Sequence, residues 1–132
     1  SRLLTVASPQ YLAEHSRPKH PRDLTQHACL VYSQDFQSTS WGYRSKDGDV
    51  NVPIRPRLAA NNGEALLQAA AQGLGIAIMH DDHMVRNNDA RVTSLFDVRV
   101  ASPYSYWFVC RPRALKQRAV KIFQDWLLKS GV

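Results

Sequence analysis

Hydrophobic and polar positions change rhythm several times along the chain, and the clearest change lies between Ala59 and His80. Over Gly63–Gln72, Glu64, Gln68 and Gln72 fall four apart as a polar stripe, with Leu66, Ala69, Ala70 and Gly73 on the other side. That spacing is helical, in a sequence rich in Ala, Leu, Glu and Gln. Asn61 and Asn62 stand ahead of it as N-caps, because a short side-chain oxygen accepts from an unpaired first-turn N–H. Gly73 follows where a left-handed cap ends a helix. Beyond Gly75, Ile76-Ala77-Ile78-Met79 is wholly apolar, the pattern of a strand covered on both faces. The stretch reads as half of an α/β unit.

Elsewhere the same reasoning predicts shorter elements. Leu3–Ala7 is a buried strand. Ser8 caps a helix over Pro9–His15, with Tyr11 and Leu12 inward. Two prolines keep Ser16–Pro21 in loop. A further helical turn, Pro21–His27, is anchored by Leu24, and Ala28–Tyr32 is a second strand. Trp41–Ser45 and Val50–Ile54 alternate apolar and polar on either side of Lys46-Asp47-Gly48-Asp49, which predicts a hairpin whose second strand ends near Pro53. A helix is expected over His80–Asn88, a short strand within Arg91–Val100, and an aromatic-rich strand over Tyr104–Cys110. The last element, a helix over Ala114–Lys129, sets Leu115, Ala119, Ile122, Phe123, Trp126 and Leu127 on one face.

Composition narrows the class. The 132 residues suit one domain, or one lobe of a two-lobed domain. Apolar content of 44% can supply a core, and 21% charged residues argue against disorder. The net charge of +6 is scattered, with no run of five basic residues, so the footprint of a nucleic-acid-binding surface is weak. No apolar segment approaches membrane-spanning length and no signal peptide opens the chain, which points to the cytoplasm and to no membrane partner. A start at Ser1-Arg2 without methionine suggests a fragment. Cys29 and Cys110 each lie in an apolar run; buried free thiols are the favoured reading, a disulfide the other.

Little in the chain looks catalytic. His80-Asp81-Asp82-His83 sets two histidines three apart around carboxylates, but it has no H-E-x-x-H spacing and no nearby cysteine, so a solvated helix start explains it better than a metal. Ser8 has no G-x-S-x-G frame, and its capping role accounts for it. No catalytic, metal or cofactor site is expected. Ala69-x-x-x-Gly73 superficially suggests a helix-turn-helix, yet Leu74–Met79 lacks side chains able to reach base edges. The mouth of the helix at Ala60–Gly63 has two readings. Its free N–H groups could floor a ligand site, or the asparagines could simply cap.

Val6-Ala-Ser-Pro-Gln-Tyr-Leu12, Pro21-Arg-Asp-Leu24 with His27, and Asn62 followed by Ala69-Ala-Ala-Gln-Gly-Leu-Gly-Ile-Ala-Ile78 together resemble the effector-binding domain of LysR-type transcriptional regulators. Tyr104–Leu128 is similar to that family's C-terminal end. The resemblance implies an α/β sensor like a type 2 periplasmic binding protein: a crossover strand at 1–7, the second subdomain at 8–103, and the last strand and helix of the first subdomain at 104–132. It implies a small-molecule effector, anionic or aromatic, in the cleft between subdomains. It also implies assembly as a homo-oligomer (dimer or tetramer), and DNA contact only through an N-terminal winged helix-turn-helix outside this chain. Carried over, the ligand wall comprises Val6, Ala7 and Ser8, then Ala60, Asn61, Asn62 and Gly63, then Met79 and His80, where the family often has proline. The alternative on the same architecture is a solute-binding module for transport.

Overall fold

The computed structural model describes residues 2–32, 40–46, 48–82, 90–97, 99–101, 113 and 116–130, in two compact units, Arg2–Ser102 and Pro103–Val132 with Ser1. In the larger unit the elements are β1 (Leu3–Ala7), α1 (Pro9–His15), a 3-10 helix (Pro21–Gln26) and β2 (Ala28–Tyr32). They continue with β3 (Ser40–Ser45), β4 (Gly48–Pro53), β5 (Arg55–Ala60), α2 (Gly63–Ala71), β6 (Ile76–His80), β7 (Thr93–Ser94) and β8 (Arg99–Val100). Five strands form one sheet in the order β5-β2-β6-β1-β7, and three form a second in the order β4-β3-β8. In the larger sheet β5, β2 and β6 are parallel, while β1 runs antiparallel to β6 and β7.

Local chemistry explains the opening unit. Asn62 accepts the Ala65 N–H at 2.8 Å and starts α2. At the other end Leu74 N–H reaches the Ala69 carbonyl and Gly73 N–H the Ala70 carbonyl, with Gly73 at φ +81°. This nested pair closes the helix only if that residue adopts a left-handed conformation, which glycine does without a steric penalty. Arg57 donates to the Leu74 carbonyl at 2.8 Å and ties the turn to β5. The chain then enters β6, whose Ile76, Ala77 and Met79 are buried.

Burial divides the interior by the sheet's two faces. Val6, Leu30, Ala77 and Met79 pack beneath Leu66, Leu67 and Ala70 of α2. On the opposite face Ala7 and Ile76 pack with Tyr11, Leu24 and the small sheet's Tyr43, Val52 and Val100. Thr5 and Tyr43 share a buried 2.8 Å hydrogen bond across that second layer.

Several elements differ from the pattern-based expectation. Arg55–Ala60, expected only as a lead-in, is a full edge strand, in which Pro56 lies opposite Cys29 just where the β2 register shifts. Proline has no N–H to give the ladder, so it is confined to edges and irregular pairings. His80 closes β6, and the helical conformation expected from it begins one residue later, at Asp81 and Asp82. The stretch between Arg91 and Val100 holds two short strands, not one. The expected helix residues 83–88, the expected strand 104–110 with Cys110, and Leu115 lie outside the described residues.

In the smaller unit one helix, α3 (Arg118–Lys129), is described. It begins later than Ala114; its N-cap Gln117 makes no side-chain capping bond, and Arg118 and Lys121 stand in the first turn, where the helix dipole disfavours cations. Ile122, Phe123, Trp126 and Leu128 are exposed. Among the described residues no helix is long and apolar enough to cross a membrane.

Candidate functional site

Parallel pairing gathers the carboxyl ends of β2, β5 and β6 at one end of the large sheet. Tyr32 pairs with Ala60, and β6 finishes there at His80. The chain turns over this end through Asn61 and Asn62 into α2, so the helix's unpaired N–H groups and positive pole face the same way as the strand ends. Asn61 and Asn62 are exposed, Ala60 is half-buried and Gly63 is buried. Asn62 Oδ1 is engaged by Ala65 N–H, and its amide nitrogen donates to Asn61 Oδ1 at 3.2 Å. Asn62 therefore performs the structural capping role whatever else it does.

The pattern of core contacts assigns the other residues to faces. Leu30 and Leu58 pack under α2, so by strand alternation Tyr32 and Ala60 lie on that same face, beside the helix mouth. Tyr32 is 38% exposed, a large aromatic ring left accessible at a strand end. Residue pattern alone did not single it out, because its place beside Ala60 comes from the β2–β5 pairing. Met79 lies under α2 and is buried, whereas Ile76 and Ile78 face the other layer. Alternation sends His80 with them, so Met79 and His80 leave the strand on opposite faces. Next to them Arg2 and Asp81 clasp reciprocally. Asp81 N–H donates to the Arg2 carbonyl at 2.8 Å, and Arg2 N–H donates to the Asp81 carboxylate at 3.1 Å. That N–H holds the Asp81 carboxyl below its ordinary range.

Val6, Ala7 and Ser8 are elsewhere. β1 is antiparallel to β6, with Leu3 opposite His80 and Val6 opposite Ala77. Three register steps put Val6 about 10 Å from the Ala60–His80 end. Val6 and Ala7 have no exposed surface, and buried Ser8 accepts Tyr11 N–H at 3.1 Å as the cap of α1. The sequence grouping of nine residues thus separates into six at one end of the sheet and three at the other, because β1 enters the sheet against the direction of its neighbours.

The remaining reactive groups are muted. Burial pushes the Cys29 thiol up to about 12, so no thiolate forms near neutral pH. His20 caps the 3-10 helix, accepting Arg22 N–H, while Asp23 accepts the Lys19 and His20 N–H groups. Among the described residues no three His, Cys, Asp or Glu side chains group as a metal site; His83 lies outside them.

A family model described as LysR substrate binding domain matches residues 1–131. The chain belongs to this family. It is 33% identical over 81 residues to the HTH-type transcriptional regulator CrgA of Neisseria meningitidis serogroup C, covering 61% of this chain and 27% of that protein. It is 37% identical over 76 residues to the HTH-type transcriptional regulator DmlR of Escherichia coli, covering 57% of this chain and 25% of that protein. Its fold is similar to full-length AphB, a Vibrio cholerae virulence activator, with TM-score 0.65 and 29% identity, covering 76% of this chain and 35% of AphB. The chain thus spans about a quarter of the length of these curated relatives. As a LysR-type regulatory domain it has the α/β architecture of the type 2 periplasmic binding proteins, and the family is one of effector sensing. The solute-transport alternative finds no support in these matches, which are to transcriptional regulators.

Proposed function

We propose that this chain senses an anionic or aromatic small molecule at the carboxyl end of its parallel strands and passes that binding to promoter DNA through a winged helix-turn-helix outside it. The observation that carries the reading is the mouth of α2. Asn61, Asn62 and Gly63 open it beside the ends of β2, β5 and β6, where ligands of open α/β sheets sit. Ala60, Met79 and His80 complete the candidate wall, with Tyr32 added and with Val6, Ala7 and Ser8 reassigned to structural roles. In this reading residues 8–103 are the second subdomain, 104–132 the remnant of the first, and 1–7 the crossover. The sensor works as a homo-oligomer in the cytoplasm, catalyses nothing and does not touch DNA itself.

A thermal-shift screen of small carboxylates and aromatics tests this, because a ligand that binds only the folded form raises its apparent stability. Asn61→Leu leaves the Asn62 cap intact and is expected to abolish the shift. Asn62→Asp keeps the cap but adds negative charge, and should weaken anions selectively. A shift unchanged in both variants defeats the site.

A further inference from the structure

Away from the candidate site, a second cluster joins three elements at the amino end of β2. The Tyr11 hydroxyl accepts Ala28 N–H at 3.3 Å and stands 2.9 Å from His27 Nδ1. Tyr11 is the one fully buried residue of α1, so α1's hold on the domain passes chiefly through this ring. His15 stacks on its face with centroids 4.2 Å apart. The hydroxyl oxygen accepts from Ala28, and its single hydrogen can be donated to His27 Nδ1 when the ring is neutral and carries its proton on Nε2.

We propose that the Tyr11–His27 hydrogen bond is an acid-sensitive latch, fixing α1 to the start of β2 while His27 is neutral and releasing it when the ring is protonated. Protonation puts a hydrogen on Nδ1, which turns the acceptor into a donor, and the Tyr11 hydrogen loses its partner inside a buried layer. The charges facing the ring oppose protonation on balance. His15 of α1 repels a charge on His27, and Arg57 of β5 adds positive potential at Tyr11; Asp23 of the 3-10 helix attracts, but its carboxylate already accepts the Lys19 and His20 N–H groups. Buried Cys29 stays an uncharged thiol. Burial, and next His15, hold His27 below the ordinary imidazole range, so the latch opens only in acid.

Nitrogen-detected NMR of the imidazoles, with amide exchange corrected to protection factors, tests the latch on the 132-residue chain. The Nε2–H tautomer is expected for His27 near pH 7, with protonation only below the ordinary imidazole range. Over the same interval protection at Leu12 and Ala28 should fall about tenfold per pH unit while Leu66–Ala70 hold theirs. His27→Asn offers an acceptor that does not titrate, and should keep that protection constant down to about pH 5. An Nδ1–H tautomer, an ordinary titration midpoint, or equal loss of protection in α2 would overturn the proposal. So would an unchanged acid response in His27→Asn. If that variant fails to fold, the tautomer and midpoint of the unaltered chain decide.

Discussion

Gly75→Ala adds one methyl group at the tightest point near the sheet's central seam. Its Cβ would stand 2.6 Å from the Ala28 carbonyl oxygen, 3.1 Å from the carbonyl carbon and 3.3 Å from the Ala28 Cβ. Ordinary contact begins at 3.4 Å, so the carbonyl would have to retreat by about 0.8 Å. The obstacle is main chain and cannot swing aside as the end of a side chain would. Two register pairs, Cys29–Ile76 and Leu30–Ala77, join β2 to β6, and the retreat strains that short seam directly. Overpacking costs about 1–3 kcal/mol, here at the upper end because backbone must yield. The loss of glycine's freedom in the unfolded chain offsets about 0.4–1 kcal/mol, leaving about 2–2.5 kcal/mol of destabilisation. Gly73→Ala is the control, since its Cβ meets Ser8 Oγ at an ordinary 3.6 Å and only the left-handed φ of +81° opposes it. That conformation costs about 1–2 kcal/mol, or about 0.5–1 kcal/mol after the same offset. Urea unfolding followed by far-UV circular dichroism separates the two. With a slope of about 1–3 kcal/mol per molar, Gly75→Ala should lower the midpoint by about 1 M, and Gly73→Ala by less than half of that. A midpoint for Gly75→Ala at or above that of Gly73→Ala would refute the steric argument.

Thr5→Val strands the buried Tyr43 hydroxyl at a cost of about 1–3 kcal/mol, whereas Thr5→Val with Tyr43→Phe recovers most of it; a double-mutant cycle with no coupling would contradict this. Acid should lower the melting temperature in two stages. The depressed His27 contributes stability that is present above the unfolded value of about 6.5 and is lost as pH falls through its folded value; Asp23 and Asp81, also depressed, do the same from about pH 4 downward. A flat profile between about pH 6.5 and 5 would count against the first stage. In a Cys110→Ser background, Cys29 should resist alkylation near pH 8 until urea unfolds the domain, and rapid labelling of the native form would show that its burial is misjudged. The exposed apolar side chains of α3 are expected to promote self-association that Trp126→Glu reduces, with concentration-independent monomer scattering as the contrary result.

How far the sequence alone carries is clear from pairs of neighbouring residues. Gly73 was legible, because a helix-length polar stripe ending at a glycine is a local signal and the left-handed cap is a local requirement. Gly75, two residues on, marked in the sequence only the start of an apolar run; its constraint is the Ala28 carbonyl, brought there by β2 pairing with β6. Asn62 was legible as a cap for the same local reason, while Tyr32 was invisible as a neighbour of Ala60 until the parallel β2–β5 register existed. Ser8 and the strand before it were legible as elements, but their separation from Ala60 and His80 was not, since residue order says nothing of a strand's direction in a sheet. Periodicity and capping act over a few residues and are written in the chain. Which strand ends meet, which face His80 leaves from and which carbonyl crowds a glycine depend on pairings between distant segments, and those the tertiary structure alone decided.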